Sequence, residues 1–150
     1  MIHKPGSESV DFLLAQVCKL HFARAHVLLE EIGLYRGQPP VLRMLWEQEG
    51  RTHSELAAQL NVQPATITKM IQRMERAGFV ARRPDPGDER VSRVYLTEAG
   101  RDVQADVQRI WRTLETETFA GFNEEEIGML RQFFERIRAN LQQVNQQGAV

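Results

Sequence analysis

The chain has 150 residues, a formal net charge of −1 and one cysteine. Its length suits about one domain, and its apolar (42%) and charged (26%) fractions are ordinary for a soluble globular protein. No uninterrupted apolar run approaches the roughly 18 residues of a membrane span, and the N-terminus lacks the apolar core of a secretory signal. A single cysteine cannot form an internal disulfide, so we expect a protein of the reducing cytoplasm with no membrane partner.

The charge is unevenly distributed along the chain. Residues 63–93 carry seven Lys or Arg against four Asp or Glu, whereas residues 1–50 and 101–150 are each slightly acidic. A basic stretch in an otherwise acidic chain favours binding to a polyanion such as DNA. The alternative is a solvated surface without a partner, which is the commoner role of charged runs.

Two helices are predicted in the first third of the chain. The first extends from about Ser9 to Ile32 and ends at Gly33, because its apolar residues recur at a helical period. Pro39-Pro40 suits the start of the second helix, which ends before Gly50.

A helix–turn–helix pattern follows. Thr52-His53-Ser54-Glu55 is a capping box that opens a short helix ending at Leu60. Asn61-Val62-Gln63 predicts the turn, and Pro64 suits the first turn of the next helix, which ends at Gly78. We expect that second helix to bury Ile67, Met70, Ile71 and Met74, and the small residues at the helix crossing to be Ala57 and Ala58. Such short pairs more often serve packing than DNA reading.

Residues 79–97 predict two short strands joined by a turn that is rich in Pro, Gly, Asp and Arg. A basic hairpin directly after a helix–turn–helix can contact DNA in a second place. This pairing favours DNA binding over a packing role.

The last third of the chain is predicted to be helical, with Thr97 capping one helix and Asn123 the next. The first and last helices are too long and too apolar for a small winged core alone. We therefore expect a mainly α fold with a small β wing: residues 35–100 form a winged helix–turn–helix domain, and residues 1–34 and 101–150 form a helical dimerisation region.

The segment Thr52–Gly100 resembles the MarR family of bacterial transcriptional regulators, most specifically at Asp85–Arg90 and Val94–Gly100. The resemblance implies a dimer that binds palindromic double-stranded operator DNA, usually as a repressor. It also implies release by a small aromatic acid, a phenol or an oxidant. We expect no cofactor.

The resemblance places DNA contacts on the second helix of the motif, on the start of the first and on the wing. An arginine at the wing tip enters the minor groove in the family, held by an aspartate two residues earlier, and Arg90 and Asp88 match that pattern. Each of these residues has an alternative as a solvated surface residue. The DNA-binding candidates are Thr52, Ser54, Gln63, Ala65, Thr66, Thr68, Lys69, Gln72, Arg73, Arg82, Asp88, Arg90 and Arg93, with Arg83 as a further phosphate contact or solvated residue.

Family members often bind effectors in a crevice between the dimer helices and the winged domain. The residues that we expect to line such a crevice are His21, Arg24, Tyr35, Trp46 and Trp111. The alternative for Trp46 and Trp111 is a place in the hydrophobic core.

The sequence also bears on four other functions: redox sensing, metal binding, catalysis and protein interaction. Cys18 leaves a redox-responsive regulator open, although it does not match the position of the sensing cysteine in the peroxide-responsive relatives. No metal-ligand spacing, nucleophile–base–acid set or phosphate-binding glycine loop is apparent, so we expect neither a metal site nor an enzyme. A helical protein-interaction module would explain the long helices but not the basic hairpin.

Overall fold

The computed structural model describes residues 9–35 and 37–147, which form six helices and a three-stranded sheet. The helices are α1 (Val10–Glu30), α2 (Gln38–Glu47), α3 (His53–Leu60), α4 (Pro64–Arg76), α5 (Glu98–Thr118) and α6 (Glu124–Gln147). The strands are β1 (Arg51–Thr52), β2 (Val80–Pro84) and β3 (Ser92–Leu96). The predicted mainly helical fold with a small β wing is confirmed. The chain divides between Leu114 and Glu115 into two compact units.

Helix α1 begins at Ser9, whose side chain accepts a hydrogen bond from the Phe12 amide. Its buried residues are confined to the C-terminal end: Ala25, Leu28 and Leu29. Its exposed apolar residues are Val10, Phe12, Leu13, Val17, Leu20, Phe22 and Val27. By length and composition alone α1 is apolar enough to cross a membrane, with a mean hydropathy of 1.3. The expectation that no apolar run approaches the length of a membrane span does not hold for α1, because single polar residues interrupt its apolar sequence without lowering the mean hydropathy very far.

The helix–turn–helix follows the prediction closely. The Thr52 hydroxyl accepts from the Glu55 amide while the Glu55 carboxylate accepts from the Thr52 amide, so the capping box is confirmed. Asn61 takes a left-handed conformation (φ 51°) that ends α3 and turns the chain into α4. Ala57 is buried but Ala58 is exposed. The prediction for Ala58 is wrong, because one residue along a helix rotates the side chain by about 100°.

The sheet has the order β1-β3-β2 and is antiparallel throughout. The predicted hairpin is confirmed, with five residue pairs between β2 and β3. The third strand, β1, was not predicted because two residues are too few to show an alternating pattern. It pairs Arg51 with Val94 and Thr52 with Arg93, and so joins the start of α3 to the wing.

The start of α5 is hydrogen-bonded to the residue that precedes β2 of the wing. The Thr97 hydroxyl accepts from the Gly100 amide, as expected of an N-cap, and the Thr97 amide donates to the Phe79 carbonyl. A Cβ at position 100 would lie 2.1 Å from the Phe79 oxygen, so only glycine fits there. The Trp46 indole donates to the Gly100 carbonyl at 2.8 Å. The buried face of α5 comprises Val103, Val107, Ile110 and Leu114.

The unit that begins at Glu115 contains the end of α5 and all of α6. Asn123 and Glu126 exchange side-chain-to-amide hydrogen bonds of 2.9 Å each, which confirms the predicted cap. No residue of α6 is buried in the single chain. Its large exposed apolar residues recur at a helical spacing: Met129, Phe133, Phe134, Ile137, Leu141 and Val144.

Candidate nucleic-acid interface

Helix α4 presents one buried and one polar face. Ile67, Ile71 and Met74 are fully buried, whereas Met70, predicted to lie with them, is only partly buried. The exposed candidates are Gln63, Ala65, Thr66, Lys69, Gln72 and Arg73. This face therefore offers amide, hydroxyl and cationic groups, which suit base edges and phosphates.

Thr68 differs from the other α4 candidates because it is half-buried and faces α3. Its hydroxyl lies 3.4 Å from Nδ1 of His53, the first residue of α3. The second ring nitrogen of His53 is buried and has no hydrogen-bond partner. Burial, and then the nearby positive charge of Arg82, lower the pKa of His53, with Glu75 opposing. The lowered pKa favours the neutral form of this imidazole, which packs against α4 beside Thr68.

The start of α3 carries the candidates Thr52 and Ser54. The Thr52 hydroxyl is engaged in the capping box, whereas Ser54 is exposed. A helix N-terminus with an exposed hydroxyl is suited to hydrogen bonding with a phosphate.

The wing tip is held by its own aspartates. Asp85 accepts hydrogen bonds from the amides of Gly87 (2.9 Å) and Asp88 (3.1 Å), which closes the turn. Asp88 in turn accepts from the Arg90 amide and from its guanidinium, at 3.1 Å from Nε and 3.4 Å from a terminal nitrogen. The Arg90 side chain is nevertheless 90% exposed. Its direction is therefore restricted while its charge faces solvent.

Arg93 lies in β3 close to the turn of the wing, and its guanidinium has partners within the protein. Its guanidinium pairs with Asp85 and donates to the Gly50 carbonyl at 2.7 Å. The hydrogen bond from the Arg93 guanidinium lowers the pKa of the Asp85 carboxyl. Arg93 therefore links Asp85, in the turn of the wing, to Gly50, which precedes β1.

Arg82 is also occupied within the protein. Its guanidinium donates to both carboxylate oxygens of Glu75, at 2.7 and 3.3 Å. This hydrogen bonding lowers the pKa of Glu75. Neighbouring Arg83 instead lies over the Tyr95 ring, 4.8 Å from its centroid, and remains exposed.

The predicted effector residues separate into two places. Trp46 and Trp111 line one groove of about 900 Å³ together with Pro39, Arg43 and Gln59. Trp46 is partly buried against the core, but Trp111 is 41% exposed, so the alternative of a core residue is wrong for Trp111 in the single chain.

The other three effector candidates do not line that groove. Tyr35 borders a shallower hollow beside Lys19, Phe22 and His26. His21 and Arg24 are exposed on α1. The structure thus adds Arg43 to the two tryptophans of this groove. Its position in a helix did not indicate a ligand contact, because the chain has many exposed cations.

Other chemistry finds little support in the described residues. Cys18 is exposed on α1. Residues 9–35 and 37–147 contain no group of three or more His, Cys, Asp or Glu that is arranged to hold a metal ion.

Sequence reasoning missed His53 and Glu75. His53 was read only as part of a capping box, and its burial depends on α4 packing over α3. Glu75 was counted only as a negative charge. Its partner Arg82 is seven residues away across a helix–strand turn, so the pairing depends on how β2 leaves the end of α4.

A helix–turn–helix whose second helix has an exposed polar face is typical of a class of DNA-binding proteins, and here a basic hairpin follows it directly. Residues 34–92 match the model of the MarR family. The chain is similar to the HTH-type transcriptional repressor IacR of Pseudomonas putida, with 31% identity over 149 residues, covering 93% of this chain and 87% of IacR. It belongs to the MarR family and is a DNA-binding transcriptional regulator.

A second relative agrees with this placement, and a solved structure shares the fold. The HTH-type transcriptional regulator TtmR of Methylorubrum extorquens is 30% identical over 121 residues, which cover 76% of this chain and 62% of TtmR. A mutant MarR from E. coli, solved in complex with operator DNA, has the same fold at a TM-score of 0.72 and 24% identity. That comparison covers 83% of this chain and 90% of the other.

Proposed function

We propose that this protein is a cytoplasmic, dimeric repressor that binds a palindromic operator through α4 and the wing and is released by a small aromatic acid or phenol. Its relative IacR is a repressor. The repressing role, the dimer and the effector are parts of this proposal.

The observation that carries the proposal is the geometry of Arg90. Its side chain is 90% exposed, yet Asp88 restrains both its backbone and its guanidinium. A guanidinium projecting from a narrow hairpin suits the negative, narrow minor groove of A·T-rich DNA. Arg90 reads the minor groove beside the half-site.

The major groove is read by the exposed face of α4. Gln63, Thr66 and Gln72 supply hydrogen-bonding groups for base edges, while Lys69 and Arg73 meet phosphates. Ala65 is small enough to approach a thymine methyl group. Ser54 and the amides at the start of α3 hold the adjacent phosphate, with Thr52 fixing that helix end.

A second copy of the chain covers the apolar residues of α1 and of α6. A membrane is a poorer partner for α1, because Lys19 lies near the middle of the helix, where a charge in a bilayer costs roughly 2.5–3.5 kcal/mol. Two-fold pairing places two recognition helices on one face, about 34–36 Å apart, to match successive major grooves.

The effector site is the groove between Trp46 and Trp111. Two indoles and the adjacent proline ring form apolar walls for a planar ring, and the Arg43 guanidinium suits a carboxylate or phenolate. In the dimer, each chain contributes one helix–turn–helix with its wing. A ligand that binds better to dimers in which the two α4 helices are not spaced to match successive major grooves lowers operator affinity by increasing the population of those dimers.

Fluorescence anisotropy with DNA from the protein's own upstream region and a scrambled duplex tests the proposal. We expect tight binding to the upstream DNA that weakens steeply with salt, because neutralised phosphates release counterions. Equal binding to both duplexes at every salt concentration would contradict a specific regulator of its own promoter. Binding to neither would support the protein-interaction alternative.

A further inference from the structure

We propose that Glu75 and Arg82 are positioning residues: their ion pair sets the placement of the wing relative to the recognition helix and thereby brings Arg90 to the minor groove. The inference rests on the proposed DNA contacts. It gives Arg82 a role other than the phosphate contact expected from the sequence.

The pair joins the two DNA-reading elements directly. Glu75 lies in the last turn of α4, and Arg82 is the third residue of β2. Both carboxylate oxygens accept from the guanidinium, at 2.7 and 3.3 Å. A two-point contact of this kind restricts orientation as well as distance. Because β2 and β3 are paired along their whole length, a shift at Arg82 is transmitted to the turn that carries Arg90.

Stability alone does not account for this pair. The Arg82 and Glu75 side chains are 37% and 38% exposed, and exposed ion pairs stabilise a fold by at most about 1 kcal/mol. A carboxylate is also poorly placed at the C-terminal end of a helix, where the helix dipole is negative. On a DNA-binding surface, it further repels phosphates. The arrangement is understandable if the carboxylate serves to hold the arginine in place.

His53, the first residue of α3, lies near the same junction. Its Nδ1 atom is 3.4 Å from the Thr68 hydroxyl of α4. Burial, and then the nearby charge of Arg82, lower the pKa of His53, and the charge of Glu75 raises it. The start of α3 is therefore close to the Glu75–Arg82 pair.

Two conservative substitutions separate positioning from simple electrostatics. Glu75→Gln keeps the shape but removes a negative charge from the DNA-binding side, so electrostatics alone predicts equal or tighter binding. Arg82→Lys keeps the positive charge but loses the two-point contact, so a phosphate contact would largely survive. Positioning predicts that both weaken specific binding. Glu89→Gln is the control for the loss of one negative charge, because it removes an acid from the wing without touching the ion pair between α4 and β2.

The test uses a duplex selected by the wild-type protein from random sequences, with a scrambled duplex as the non-specific probe. We expect Glu75→Gln and Arg82→Lys each to weaken binding to the selected duplex by roughly three- to tenfold. Binding to the scrambled duplex and the melting temperature stay nearly unchanged, and Glu89→Gln shows no loss. The effect of Arg90→Ala should also be smaller in the Glu75→Gln protein than in the wild type, because misplaced wings gain less from Arg90.

Each other outcome overturns the inference. If Glu75→Gln binds the selected duplex as tightly as the wild type or tighter, the pair does not position the wing. The same holds if the effects of Glu75→Gln and Arg90→Ala simply multiply. If the wild type selects no duplex over scrambled DNA, the proposed function itself fails and this inference fails with it.

Discussion

The proposed DNA-binding surface of α4 and the wing differs from the apolar surfaces of α1 and α6 in how complete it is within one chain. Turns, caps and ion pairs already fix the wing tip and its link to α4. On α6 no residue is buried, and most of α1 is exposed. The polar side chains of the first surface thus have partners within the chain, whereas the apolar side chains of α1 and α6 are largely uncovered by it. If the proposed dimer forms, it completes the apolar surfaces and leaves the polar one unchanged.

Disrupting the apolar face of α6 should have the largest effect. We expect Leu141→Glu to separate the dimer, because it would place a charge in a desolvated interface. Loss of the second half-site should then weaken operator binding on the order of 100-fold or more. Sedimentation equilibrium and anisotropy measure the two effects. Gln142→Glu adds the same charge at an exposed polar position of the same helix and should change neither. A Leu141→Glu protein that remained dimeric would assign the interface to other residues.

Removing the wing-tip guanidinium should have the next largest effect. Arg90→Ala should weaken operator binding roughly 5- to 100-fold and leave the melting temperature unchanged, because the side chain is exposed. Anisotropy and thermal unfolding monitored by circular dichroism check both statements. Arg109→Ala, which removes an exposed arginine of α5, is the matched control. Equal losses from the two substitutions would show that Arg90 contributes only net charge.

Substitution of Lys69 should cause a smaller loss of DNA affinity that does not depend on the DNA sequence. Lys69→Ala should weaken binding to operator and scrambled DNA by similar factors, because a phosphate carries no sequence information. The slope of log affinity against log salt should fall by about one unit for each subunit. A salt titration on both duplexes measures this. A loss confined to the operator would instead place Lys69 at a base edge.

The smallest effect is a pH dependence of stability at His53. Its folded pKa is lowered, so the unfolded chain binds a proton first as pH falls below the unperturbed value of 6.5. This contribution is complete above pH 6.5 and is lost as pH falls from there toward the folded pKa. Urea unfolding at pH 7.5 and 5.5, at fixed protein concentration, should show a smaller loss of stability for His53→Gln than for the wild type. An identical loss in both proteins would remove His53 from this dependence.

The sequence predicted those features that depend on neighbouring residues. The capping boxes at Thr52 and Asn123, the turn at Asn61 and the hairpin are all local, and each is confirmed. Asp88 and Arg90 are also only two residues apart, so a short sequence motif could predict their contact.

Features that depend on packing between distant segments were not predictable from the sequence. Strand β1 exists only because β3 lies beside it, and Thr68 is half-buried because α3, with His53, packs against α4. Arg82 and Arg93 resemble Arg90 in sequence, but each meets an acid that the fold brings to it. The two indoles and Arg43 line one groove because the fold brings residues of α2, α3 and α5 around it, which periodicity alone cannot reveal.

Hydroxyl-radical footprinting of the operator by the wild type and by Arg90→Ala tests the central claim most directly. The account predicts two symmetric protected half-sites centred about one helical turn apart, each flanked by a protected minor groove. The flanking protection should disappear with Arg90→Ala while the half-sites remain at higher protein concentration. A single asymmetric footprint, or flanking protection that persists without Arg90, would contradict a dimer that reads DNA with its wing tips.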